Sequence, residues 1–141
     1  MIWLYVTVLT FVSIYDIKTR RIPDQVNMLL LLMGIYYLHQ SSGGKFDIWL
    51  QAILITLFVF TVLLAFSVLT SGGLGGGDLK LASALSLPLG SEGIAEVALA
   101  WFWVGMAGFP ILILALFRVI PWKSSIPFAP CLAVGHLVML I

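Results

Sequence analysis

Residues 48–69 read IWLQAILITLFVFTVLLAFSVL, a run without a single charged side chain. About 20 consecutive apolar residues are what an α-helix needs to cross the hydrocarbon of a bilayer. The rest of the chain agrees with that reading: 62% of its 141 residues are hydrophobic, only 9% are charged, and the mean hydropathy is +1.15. No soluble domain of this size hides so much apolar surface. The fold class is therefore an all-α, polytopic transmembrane helical bundle, expected as a single domain over residues 1–141.

Polar punctuation on either side of this run divides the chain into about six helices. The first is expected from Ile2 to Ile17, stopping at Lys18-Thr19-Arg20-Arg21-Ile22-Pro23. A second spans Gln25 to His39 and ends at the turn-like Gln40-Ser41-Ser42-Gly43-Gly44. The third is the opening run itself. A short fourth covers Asp78 to Leu89, a fifth Ile94 to Phe117, and a sixth Phe128 to Ile141. Several are short for ordinary spans, which a bilayer accommodates by thinning or by small tilt.

Basic residues orient the bundle. An external amino terminus gathers Lys18, Arg20, Arg21, Lys80, Arg118 and Lys123 at cytosolic helix ends and leaves only Lys45 outside. The opposite orientation reverses that count, so the positive-inside rule favours the amino terminus outside. Asp47, Glu92 and Glu96 then face out. The first apolar run lacks a basic leading region, so it reads as a retained helix rather than a cleavable signal. The expected location is the inner (cytoplasmic) membrane, crossed several times. A net charge of +1 points to no nucleic-acid partner, and the single cysteine, Cys131, leaves neither a disulfide nor a paired-cysteine zinc site.

Two aspartates stand out against this background. Asp16 falls late in the first helix and Asp78 at the start of the fourth, so the topology puts both at the cytosolic face. A carboxylate at membrane depth is expensive to keep and reads first as functional. Each also has an ordinary reading: Asp16 as an ion-pair partner of Arg20 one turn along, and Asp78 as a helix N-cap. Five of the six residues from Gly72 to Gly77 are glycine. Such backbone is costly inside a helix and open to the close approach of an extended peptide. A phosphate cradle is excluded, because no Gly-Lys-Ser/Thr follows.

The residues flanking the aspartates carry a family resemblance. Asp16-Ile-Lys-Thr-Arg-Arg-Ile22-Pro23 resembles the first catalytic motif of the type IV prepilin peptidases, an aspartate followed six and seven residues later by Ile-Pro. Gly75-Gly76-Gly77-Asp78-Leu79-Lys80-Leu81 is similar to their second motif, Gly-x-Gly-Asp-x-Lys-Leu. Ile126-Pro127-Phe128-Ala129-Pro130, followed by Gly135, resembles the Pro-Phe-x-Pro segment that opens their last helix. Two departures accompany the match. Asp24 stands where many members have Asn after the Ile-Pro. The long inner insertion and Cys-x-x-Cys zinc ligands of the bifunctional members are missing, so the resemblance is to the short peptidase-only form without N-methyl transfer.

The resemblance implies Asp16 and Asp78 as the catalytic pair of a Gly-x-Gly-Asp aspartic peptidase. Gly75, Gly76, Gly77, Lys80, Pro23, Pro127 and Pro130 become supporting residues, with no metal and no cofactor. The implied substrate is a prepilin-like precursor whose cut follows a glycine ahead of an apolar helix. Two neighbouring carboxylates cannot both ionise cheaply, so such a pair shares one proton, assignable to neither alone. Competing readings are a presenilin-like intramembrane protease, disfavoured by the short chain and the Ile-Pro spacing, and a small proton-linked carrier or inactive assembly subunit. The sequence carries no sign of oligomeric state.

Other residues have plainer expectations. Lys80 serves either the acid pair or as an inner-face anchor, and Lys18, Arg20 and Arg21 as topology determinants touching lipid headgroups. Cys131 reads as a packing residue, and His39 and His136 as interfacial or helix-contact residues. Gly105 and Gly108 point to close helix packing. Trp3, Trp49, Trp101, Trp103 and Trp122 fall near the ends of predicted spans.

Overall fold

The computed structural model describes residues 2–19, 21–70, 75–116 and 128–140. Among these residues there are six helices and no strand: α1 (Ile2–Thr19), α2 (Asp24–Ser42), α3 (Phe46–Leu69), α4 (Gly76–Gly90), α5 (Ile94–Leu116) and α6 (Ala129–Leu140). All six expected helices are present, with shifted ends. The start of α4 moves most usefully, to Gly76 rather than Asp78, so two glycines join the first helical turn. Pro110 lies inside α5 and Pro88 near the end of α4 without ending either helix.

The chain falls into two compact units, one of Met1–Arg21 with Ala98–Ile141 and the other of Ile22–Val97. In the second unit α4 is the central element. Leu79, Leu81, Ala82, Leu85, Leu87 and Leu89 are all buried along it, and it packs against both α2 and α3. Small residues permit that. A Cβ placed on Gly90 would stand 3.0 Å from Ala52 Cα and 3.1 Å from its carbonyl oxygen, so α4 and α3 meet backbone to backbone. The Gln51 amide donates to the Gly90 carbonyl at 3.3 Å beside this crossing. Gly43, at φ 56°, supplies the left-handed residue that closes α2.

α3 buries Ala52, Ile55 and Val59 on one side and exposes Leu54, Leu57, Phe58, Val62 and Phe66 on the other. Exposure of that many large apolar side chains is costly in water and neutral in lipid. Among the described residues α3 is the one helix long and apolar enough to cross a membrane unaided; Ile94–Pro110 and Ala129–Met139 are apolar but shorter.

In the first unit, Tyr5, Leu9, Val12 and Asp16 form the buried stripe of α1. Their spacings of four, three and four residues repeat the helical period. α1 packs on α6, where Cys131, Leu132, Ala133 and His136 are buried. Gly135 of α6 lies against α5: a Cβ there would meet Val104 Cγ2, the Ala100 carbonyl oxygen at 2.6 Å and the Val104 nitrogen at 2.8 Å. The expected tight glycines on α5 are otherwise. Nothing lies within 4 Å of a Cβ on Gly105, and Gly108 would make an ordinary 3.9 Å contact with Cys131 Sγ. Close approach is thus set by the α6 glycine, while Gly105 faces open space and Gly108 makes only an ordinary contact with α6.

Both histidines make helix contacts. His136 Nδ1 lies 2.9 Å from the Leu132 carbonyl, and its ring meets Trp101 edge-on. Only an N–H can satisfy that carbonyl, so Nδ1 carries the proton. His39 sits beside Trp49. Trp3 and Trp103 are exposed, whereas Trp122 lies outside the described residues.

Candidate active site

Asp16 ends the buried stripe of α1 and is only 5% exposed. Its Oδ2 accepts the main-chain N–H of Ala129 at 3.1 Å. Ala129 opens α6, where helical geometry leaves the first amides without an internal partner. Asp16 therefore caps α6 from another helix. The arrangement suits the sequence that follows: Pro130 has no N–H to satisfy and sits in the first turn, where proline is tolerated. The Phe128 carbonyl then accepts from Cys131 and Leu132, both at 3.1 Å. The expected partner Arg20 lies outside the described residues, as do Pro127, Arg118, Lys123, Gly72 and Gly73.

Asp78 belongs to the other unit and is half-buried. It is not the N-cap of α4. That position is Gly75, at φ −68° and ψ 147°, which places Asp78 third in the helix. A carboxylate in a first helical turn is stabilised by the positive end of the helix dipole. The preceding glycines are needed for space more than for unusual backbone angles. A Cβ on Gly75 would stand 3.2 Å from Asp78 Oδ2, and one on Gly77 3.2 Å from Ile22 Cβ. Gly76 faces open space.

That contact joins the two motifs of this unit. Ile22-Pro23 leads into α2, and Pro23 is its N-cap residue, with its carbonyl accepting from Val26 at 3.1 Å and Asn27 at 3.3 Å. Ile22 rests on Gly77. One turn along, Asn27 donates from Nδ2 to the Gly77 carbonyl at 3.4 Å. The residue immediately before Asp78 is thus held by a side chain on one side and an amide on the other. Sequence reasoning missed Asn27, although an amide among apolar α2 positions was a legible signal. The role of Ala129 rests on a main-chain atom and left no such signal.

Lys80 and Asp24 answer each other. Lys80 Nζ lies 2.7 Å from Asp24 Oδ1, with both side chains largely exposed. The extra carboxylate at position 24 is an ion-pair partner. An exposed pair of this kind contributes at most ~1 kcal/mol. Asp24→Asn is therefore expected to leave thermal stability within about 1 kcal/mol of wild type. Its peptide cleavage should stay within about fivefold, the ratio that ~1 kcal/mol sets. Loss of cleavage in that variant would make Asp24 part of the chemistry. Among the described residues no group of three His, Cys, Asp or Glu is placed to hold a metal ion.

Among the described residues the fold is all-helical with a bilayer-length apolar helix, one acid capping α6 and another at the head of a glycine-led helix. The sequence model of the Type IV leader peptidase family matches residues 3–117, so the chain belongs to that family of membrane-associated peptidases. The match contains Asp16 and Asp78 and stops short of Pro127 and Pro130. Among curated relatives, the prepilin leader peptidase/N-methyltransferase of Bacillus subtilis (strain 168) is 27% identical over 140 residues, 94% of this chain and 52% of that protein. The protein of the same name from Burkholderia pseudomallei (strain 1026b) is 32% identical over 126 residues, 87% of this chain and 40% of that protein. The chain thus spans about half the length of these relatives or less. No solved structure matches it significantly.

Proposed function

We propose that this chain is a membrane aspartic endopeptidase that removes leader peptides from type IV prepilin-like precursors at the cytosolic face of the inner membrane. Residues 1–141 act as one domain, with Asp16 and Asp78 as the catalytic pair. The observation that carries the reading is that both acids lie within the residues matched by the leader-peptidase family, Asp16 capping the first turn of α6 and Asp78 standing in the first turn of α4.

The chemistry needs only the two acids and water. The ionised carboxylate takes a proton from water as the water oxygen bonds to the scissile carbonyl carbon. The protonated carboxyl gives its proton to the carbonyl oxygen, leaving a neutral tetrahedral diol. Collapse breaks the C–N bond: the first acid returns its proton to the departing nitrogen, and a diol hydroxyl proton passes back to the second. Products are the leader carboxyl and a free amino terminus, and the pair again holds one proton. On the same reading the glycines before Asp78 wall the site, and a small residue is expected before the cut. Lys18 and Arg21, both exposed, are placed by the same reading among lipid headgroups.

Incubation of the purified chain with a solubilised precursor, and mass spectrometry of the products, tests the activity. A cut after the leader glycine supports it, and an intact precursor refutes it. Orientation has a separate test in a Cys131→Ser background. Cysteines at Lys45 and Glu92, both exposed positions, should react with membrane-impermeant thiol reagents in intact cells, while a cysteine at Thr19 should not. Labelling at Thr19 from outside would put both acids on the wrong face.

A further inference from the structure

Three glycines in a row, Gly75 to Gly77, lead into Asp78, and glycine restrains its backbone angles less than any other residue. A carboxylate that has to be placed accurately for catalysis needs its backbone fixed by something else. Asn27 is the side chain that reaches it. It lies buried on α2 between Val26 and Met28, and its main-chain N–H donates to the Pro23 carbonyl at 3.3 Å. Its Nδ2 donates to the Gly77 carbonyl at 3.4 Å. That carbonyl is one end of a rigid peptide plane whose other end is the Asp78 nitrogen and Cα. The bond therefore links the Ile22-Pro23 entry of α2, through one side chain, to the backbone of Asp78.

Stability does not account for an amide at this place. Helical geometry already pairs the Gly77 carbonyl with the N–H of Leu81, so no acceptor in α4 depends on Asn27. Asn27 Oδ1 is buried and, among the described residues, has no hydrogen-bond partner. An unmatched buried acceptor costs more than a long neutral hydrogen bond returns, and leucine forms helix better than asparagine. An apolar side chain of similar size would serve the fold at least as well. A polar group kept against local stability is the pattern of a functional site.

We infer that Asn27 is a positioning residue for Asp78, holding the Gly77–Asp78 peptide plane against the freedom of the glycines before it. The inference rests on the leader-peptidase reading, in which Asp78 is catalytic. In this role Asn27 acts through the backbone and takes no part in proton transfer.

The test compares cleavage of a solubilised precursor, with a leader ending in glycine ahead of an apolar helix, by the full chain and by three variants. Asn27→Leu and Asn27→Ala remove the donor, whereas Asn27→Gln keeps it on a longer stem. Leucine and alanine should each lower kcat about tenfold with KM within about twofold, the signature of a misplaced catalytic group rather than lost binding. Thermal unfolding of Asn27→Leu should stay at or above wild type, and Asn27→Gln should recover much of the lost kcat. Unchanged kcat in both donor-free variants, or a raised KM in place of a lowered kcat, would overturn the positioning role while wild-type cleavage leaves the peptidase reading standing. A kcat loss that glutamine does not restore, or that tracks a loss of thermal stability, would overturn it as well, since a merely structural residue behaves that way. Failure of the wild-type chain to cut the precursor would instead overturn the peptidase reading and this one together.

Discussion

Asp16→Asn and Asp78→Asn are each expected to reduce precursor cleavage on the order of 10²–10⁴-fold, the scale of losing a positioned acid–base group. The chain should still insert and accumulate. For Asp16 the choice of asparagine is decisive, because the native carboxylate also caps α6 through the Ala129 N–H at 3.1 Å. The asparagine carbonyl oxygen can accept the same bond, so the cap survives and only the proton chemistry is lost. Asp16→Ala removes both, with a further stability loss of ~1 kcal/mol, the usual value of a cap. Comparing thermal unfolding of the two variants separates the roles. Near-wild-type cleavage by either asparagine variant would remove that aspartate from the mechanism, and equal stability of Asp16→Asn and Asp16→Ala would remove the cap.

Gly135→Ala should be the most damaging single methyl in the first unit, destabilising it by roughly 3 kcal/mol, the upper range for overpacking. The new Cβ would collide with the Ala100 carbonyl oxygen and the Val104 nitrogen, 2.6 and 2.8 Å away, as well as with a Val104 methyl. Two of these three atoms are backbone and cannot rotate aside, so α5 and α6 have to separate. Between membrane helices, association rests on close van der Waals packing rather than on the hydrophobic effect, which makes such a separation costly. Gly105→Ala is the matched control. Its Cβ meets nothing within 4 Å, and alanine is the better helix former. Unfolding in detergent by heat or denaturant should therefore rank Gly135→Ala far below wild type and Gly105→Ala at or above it. Equal stability of the two variants would show that α6 does not rest on α5 through Gly135.

The class of the protein was written in linear patterns. Apolar runs such as Ile48–Leu69, with glycine, proline and charge between them, predict the six helices, since hydropathy and chain-breaking act over a few neighbouring residues. Asp16 and Asp78 stand out as candidates in the same way, because a carboxylate is conspicuous in an apolar setting and the motif residues around each are contiguous. The partners of these groups do not. Asp24 is only a departure from the family motif in the sequence, and Lys80, far along the chain, holds it at 2.7 Å. The alternative reading of Asp78 as an N-cap fails because the helix begins two residues earlier, at Gly76. The α5 glycines read as the tight contact, and Gly135 is the one that makes it. Asn27 on Gly77 and Ala129 on Asp16 each join residues distant in sequence. Composition and period determine which segments become helices and which side chains are chemically expensive. The rotation of each helix about its axis decides which of those side chains find a partner, and only packing against the neighbouring helices sets that rotation.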